Sequence, residues 1–219
     1  MNGKKGCLKC GGTGIDIDGN ICECVVVDAE QSNNLPELLE VPDAYRGNRF
    51  SRHMISSDMI PAYGAFLEST LKDIICNVFD INMVICSQPN RAKTVFAYNV
   101  YSLLKNKGMN IPEVMDIIQV RDIMNKPTKE TLSLLDKINN SRYAIFRIPM
   151  DLPYNFASII SNIVTRRVSA GGKTIFISNN SKAMLLSNDK TGRLVHMLGD
   201  GSYQTLKVCD YFVNEKELE

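Results

Sequence analysis

The sequence predicts a parallel α/β sheet domain preceded by a small four-cysteine metal module. Three observations carry that prediction. Cys7-Leu8-Lys9-Cys10-Gly11-Gly12-Thr13-Gly14 is followed by Cys22-Glu23-Cys24, so four of the seven cysteines stand close together near the N-terminus. From residue 63 onward, short apolar runs of strand type alternate with segments of helical periodicity. One such run, Asn82-Met83-Val84-Ile85-Cys86, leads into Ser87-Gln88-Pro89-Asn90-Arg91-Ala92-Lys93-Thr94 and then a helix, which is the layout of a phosphate-binding P-loop.

In the first module, two close cysteine pairs flank a Gly-rich turn. Four thiolates can then converge tetrahedrally, and the glycines let the backbone curl around an ion without Cβ clashes. Cys7, Cys10, Cys22 and Cys24 are the expected ligands and Zn2+ the expected ion, preferred over an iron–sulfur cluster on ligand type. Residues 1–28 are too few to build a core, so metal binding would supply their folding free energy. A disulfide pair or a redox C-x-x-C is the competing reading, disfavoured because no secretory leader is legible ahead of Cys7. The second pair is C-x-C where C-x-x-C is commoner.

Composition bounds the remainder. With 219 residues and 44% apolar content, the chain can form one ordinary domain beside the module. Its 25 basic and 24 acidic residues nearly cancel, which excludes a global pull toward nucleic acid and leaves only local patches. No apolar run is long enough to predict a membrane span, and a cytoplasmic location is expected. Cys76, Cys86 and Cys209 sit in apolar surroundings and read as buried thiols of a reducing compartment.

The elements follow in order. Residues 29–62 read as a linker and lead-in: the apolar pattern lapses from Val27 to Asn34, Leu35 to Leu39 suits a short helix, and Pro42 and Gly47 break periodicity while Tyr45 and Phe50 serve as anchors. Arg46, Arg49 and Arg52 read as a solvated face, with phosphate-backbone contact as the alternative. Residues 63–219 form the main domain. It opens with a helix from Tyr63 to Val78 whose core stripe is Phe66, Leu67, Leu71, Ile74 and Ile75. After the first strand and its loop, Val95 to Leu104 reads as a helix, Ile111 to Ile118 as a second strand, and Val120 to Met124 as another helix. Ser141 to Phe146 is the third strand and Phe156 to Val168 the next helix. That helix closes on Arg166-Arg167, expected to complement the helix dipole, before Gly171-Gly172. The fourth strand, Lys173 to Ile177, runs into Ser178-Asn179-Asn180, and polar groups gathered at strand ends place a site at the switch point of the sheet. His53 and His196 read as surface or structural residues.

The loop departs from G-x-x-x-x-G-K-[ST] at both glycines, with Ser87 and Ala92 in their places, and Pro89 removes one N–H donor. Lys93 would still neutralise phosphate charge and Thr94 would offer a hydroxyl to magnesium. In P-loop ATPases the third strand ends in an acid that holds magnesium. Here Arg147, Ile148 and Pro149 occupy that end, and Asp151 is the nearest acid.

Taken in order, the C-x-x-C-G-G-T-G and C-x-C module, Val41-Pro42 with Tyr45 and Phe50, Lys93-Thr94, and Thr174-Ile175-Phe176-Ile177-Ser178-Asn179 resemble bacterial and phage replicative-helicase loaders of the DnaC/DnaI type and the related IstB-type transposition ATPases. The resemblance implies an AAA+ P-loop domain binding ATP or ADP with Mg2+ through Ser87, Ala92, Lys93, Thr94 and Asn179, the last sensing the γ-phosphate. It implies a replicative helicase as partner, single-stranded DNA as a second, and assembly into a homo-oligomer. Gly192-Arg193-Leu194 would lead toward an intersubunit arginine finger, but Val195-His196-Met197 follows, and Phe212 stands where a final sensor arginine would fall. Loop glycines, acid, finger and sensor are all altered, which implies a degenerate ATPase: a helicase loader-like adaptor without turnover. The alternatives are an active ATP-hydrolysing loader using Asp151 and Asn179, or an acid from a neighbouring subunit, and an IstB-like transposition ATPase that coats DNA. The eroded architecture fits a bacteriophage protein working in the host cytoplasm.

Overall fold

The computed structural model describes residues 61–88, 93–198 and 205–212. The four N-terminal cysteines, the lead-in with its arginines, His53 and Ala92 lie outside them. Among the described residues five strands form one sheet: β1 (Met83–Cys86), β2 (Met115–Asp116), β3 (Tyr143–Ile148), β4 (Lys173–Ser178) and β5 (Lys207–Asp210). They are all parallel, in the order β2-β3-β4-β1-β5. β1 is buried along its whole length, and β3 and β4 nearly so. Central strands of a sheet covered on both faces must read as continuous apolar runs, and these do.

Alternation along each strand divides the core. Met83, Ile85, Tyr143, Ile145, Ile175 and Ile177 face one side, against helices α1 (Pro61–Ile75) and α2 (Lys93–Asn106). Val84, Ala144, Phe146, Ile148 and Phe176 face the other, against α3 (Ile117–Asn125), α4 (Lys129–Asn140), α5 (Phe156–Ser169), α6 (Lys182–Ser187) and α7 (Arg193–Met197). The result is a three-layer sandwich. Each large apolar side chain fully removed from water contributes about 1.5–3 kcal/mol, so the central strands and the helix faces packed on them are the main source of stability.

The observed elements differ from the expected ones in instructive places. The second strand has two residues rather than eight. Pro112 has no N–H for a ladder, and Ile111 and Val114 instead bury themselves beside α1 and α2. The third strand begins at Tyr143, because Ser141 is still closing α4 with its N–H on the Lys137 carbonyl. Arg147 and Ile148 are therefore strand residues and do not follow the strand. α2 begins at Lys93, two residues before the expected start. Cys76 is exposed, not buried, since α1 ends at Ile75 and the chain turns through Asn77 at φ 64°. Cys86 and Cys209 are buried, and burial raises both thiol pKa values, so neither is a nucleophile at neutral pH. No helix among the described residues is long and apolar enough to cross a membrane.

Arg167 overturns the dipole reading of the Arg166-Arg167 pair. Arg166 is exposed, but Arg167 is wholly buried. A guanidinium has five N–H donors, and here all of them are used. Nε donates to Thr174 Oγ1 at 2.9 Å, one terminal nitrogen to Ser141 Oγ at 3.0 Å and to the Ile138 carbonyl, the other to the carbonyls of Ser141 at 3.0 Å and Lys173 at 2.9 Å. Burial lowers its pKa to about 10, so it remains charged at neutral pH. The knot fastens the end of α4, the end of α5 and the start of β4 to one another. α5 then stops in a Schellman motif, with Gly172 N–H on the Arg167 carbonyl, Gly171 N–H on that of Val168, and Gly171 at φ +75°.

Candidate functional site

A cleft of about 170 Å³ opens at the carboxyl ends of the strands, where an α/β sheet with crossed-over connections places its ligands. The strand order explains the position. The chain leaves β1 for β2 at the far edge, returns through β3 and β4, and passes to β5 on the other side of β1, so the loops after β1 and β4 diverge and leave a crevice.

Lys93 and Thr94, the first two residues of α2, form one wall. The positive end of a helix dipole is thereby aimed at the cleft, and no acid in the first turn opposes it. Lys93 is 4% exposed, and its ammonium donates to the Gln88 carbonyl at 2.7 Å, which ties the charge to the exit of β1. Asn179, just past β4, lines the cleft half-buried. Next to it, Asn180 is fully buried, and its amide donates to the Pro149 carbonyl at 3.0 Å, clamping the exits of β3 and β4 together.

Ser87 is not in the cleft wall. It is buried, its hydroxyl donates to Tyr63 Oη at 3.3 Å, and its N–H reaches the Ser178 carbonyl at 3.3 Å. Among the described residues Asn77 alone combines a side chain with positive φ, so Ser87 lies where a side chain carries no backbone strain. Tyr63 is itself buried, which pushes its hydroxyl up to about 12, and its ring lies 4.9 Å from that of Tyr211. The root of the loop is thus tied to α1 and to the segment after β5.

The floor holds the arrangement that sequence reasoning missed. Arg147 on β3 is the register partner of Asp116, the last residue of β2. An Arg147 terminal nitrogen donates to Asp116 Oδ2 at 3.1 Å, and both residues line the cleft. Asp116 also precedes α3, with its N–H capped by Gln119 Oε1 at 3.0 Å. The pair is incompletely satisfied: Asp116 Oδ1 and Arg147 Nε are buried atoms with no hydrogen-bond partner. Asp151, by contrast, is exposed in the loop after β3 and does not contribute to the cleft wall. Among the described residues that line the cleft, two are cationic, Lys93 and Arg147, and one is anionic, Asp116.

The Gly-Arg-Leu segment shapes α7 and does not face the cleft. Gly192 takes the left-handed conformation at φ 65°, Arg193, Val195 and His196 are exposed, and Leu194 and Met197 are buried. Phe212 is partly buried and packs against the core on the α3–α7 side of the sheet. Among the described residues no cluster of three or more His, Cys, Asp or Glu could hold a metal ion.

No protein-family model matches the sequence, and no curated protein matches it. The fold, however, is similar to solved structures. The DnaC helicase loader superposes with TM-score 0.53 at 16% identity, over 79% of this chain and all of that one. DnaI gives TM-score 0.53 at 11% identity, over 80% and 92% of the two chains. A proposed primosome component from Streptococcus pyogenes serotype M3 gives 0.51 at 17%, over 80% and 90%. The chain shares their fold. At 11–17% identity the loader fold is retained while most side chains have changed, so chemistry has to be argued from this chain's own cleft.

Proposed function

We propose that this protein is a helicase loader-like adaptor of DNA replication, a docking body for a replicative helicase whose cleft binds nucleotide without turning it over. The loader fold supports the adaptor part of this reading. The observation that carries the loss of turnover is the Arg147–Asp116 pair. Hydrolysis in a P-loop site needs a carboxylate at the end of the third strand to hold magnesium beside the phosphates. Arg147 stands at that strand end, already paired across to Asp116. Lys93, Thr94 and Asn179 remain to receive a phosphate chain. The module of Cys7, Cys10, Cys22 and Cys24, with bound zinc, would add a second grip on helicase or single-stranded DNA.

One observation favours a second reading. Asp116 is an acid in the cleft with one oxygen unpartnered, and it could hold magnesium in place of Asp151, which would make the protein a working ATPase switch. Phosphate release by the full-length protein with ATP and magnesium separates the two. The adaptor reading expects no release above buffer, together with retention of the helicase on immobilised protein. Magnesium-dependent release that Lys93→Ala and Asp116→Asn both abolish would establish the switch and overturn the adaptor.

A further inference from the structure

We propose that the cleft binds a polyphosphate chain without a divalent cation, the Arg147 guanidinium standing in for the metal ion. The inference rests on the reading of this cleft as a phosphate site and adds how the phosphate charge is met. A magnesium ion in such a site is bound through a carboxylate and phosphate oxygens, and it neutralises charge that the protein leaves uncompensated. In this cleft the strand end carries a permanent cation, and the neighbouring carboxylate already spends one of its oxygens on that cation. An added metal ion would lie beside the guanidinium and repel it.

The geometry suits direct recognition. Arg147 spends a terminal nitrogen on Asp116, while its Nε is removed from solvent without an acceptor. A guanidinium presents a planar fork that meets phosphate oxygens two at a time. Lys93 and the N-terminus of α2 add positive charge to the same cleft. Asp116 is the counterweight: it competes for Arg147 and repels an incoming anion. Phosphate must therefore share or displace it, and removing its charge should tighten binding.

The test is calorimetric titration of the full-length protein with ATP and, separately, with inorganic tripolyphosphate. Buffer is stripped of divalent cations before the protein is added, and the titrations are repeated with magnesium. The expected result is binding of ATP without magnesium that is equal to or tighter than binding with it. Tripolyphosphate binding as tightly as ATP identifies the phosphate chain as the ligand. Weaker binding of tripolyphosphate identifies a nucleotide, with the phosphates still held metal-free. Arg147→Met should weaken metal-free binding at least about ten-fold, as expected for loss of a charge-assisted pair. Asp116→Asn should tighten it several-fold, a gain that misfolding cannot produce. Binding that appears only with magnesium, or that Arg147→Met leaves unchanged, overturns the inference while leaving the cleft a phosphate site. Absence of binding to both compounds under both conditions overturns the phosphate reading itself.

Discussion

Two arginines, twenty residues apart in sequence, sit in opposite circumstances. Arg167 is fully buried, and each of its N–H groups meets a neutral oxygen. Arg147 is 40% exposed at the side chain, holds one carboxylate, and leaves its Nε without a partner. A buried donor left unmade is costly, so a fold that completes one guanidinium and leaves the other incomplete separates a structural residue from a residue of a site. The difference lies in what surrounds each. The end of a helix supplies Arg167 with carbonyls that helix geometry leaves over. The carboxyl ends of parallel strands open into a crevice, and Arg147 lines it.

The largest effect should come from breaking the complete member. Arg167→Met leaves the Ile138, Ser141 and Lys173 carbonyls and the Ser141 and Thr174 hydroxyls without their donor, and the expected cost is about 3–5 kcal/mol, the range for disrupting a buried charged network. The same replacement at Arg147 should change stability by less than about 1 kcal/mol, because a partly exposed ion pair contributes little. Denaturant unfolding of the two variants measures both. Equal destabilisation would dissolve the distinction between them.

Gly172→Ala sharpens the comparison by pressing on the Arg167 knot without deleting a donor. A Cβ at Gly172 would lie 2.8 Å from the Ser141 carbonyl oxygen and 3.0 Å from an Arg167 terminal nitrogen. The first is backbone, pinned by the knot itself, so relief requires α4 and β4 to move apart. The expected cost is about 1–3 kcal/mol, as for overpacking elsewhere. Thermal unfolding should show a lowered midpoint, with metal-free phosphate binding unchanged, since the knot lies at the opposite end of the strands from the cleft.

How much of this was legible follows from the same geometry. β1, β3 and β4 are buried on both faces, so their sequences are unbroken apolar runs and announce a parallel sheet. β5 is an edge strand, Lys207-Val208-Cys209-Asp210, with polar residues at both ends and one buried position, Cys209, and it gave no strand signal. α4 buries only Ile138 fully, with Leu134 packed partly buried on the same core, so its apolar face is short; Thr128, whose side chain accepts from Thr131 N–H, marks its start. In the cleft, Lys93-Thr94 and Asn179 were legible because spacing from a strand determines where such residues fall. Asp116 was not. It ends a strand of two residues, and only the pairing of β2 with β3 brings it to Arg147. Arg167 looked like any cation at a helix end, because its acceptors are backbone carbonyls and hydroxyls with no sequence signature.

An effect smaller than either perturbation of the knot comes from a third group, Asp189, which resembles Arg167 in being satisfied locally but is only partly buried. Its carboxylate accepts from Leu194 N–H at 2.7 Å and Val195 N–H at 3.3 Å in the first turn of α7, and from the Thr191 hydroxyl at 2.8 Å and N–H at 3.1 Å. Desolvation alone would raise its pKa, but these donors together outweigh it and lower the value. The unfolded chain therefore binds the proton more readily than the folded one. The resulting stability is fully present above the ordinary carboxylate range near pH 4, and is lost as pH falls through the lowered folded value. Asp189→Asn should cost about 1 kcal/mol at neutral pH, the usual worth of a cap. The gap between variant and parent should close as the pH is taken below about 4. Paired urea titrations at pH 7 and pH 3 read both terms. A gap that persists unchanged at pH 3 would mean that the carboxylate's charge does not contribute and that the cap works by hydrogen-bond geometry alone.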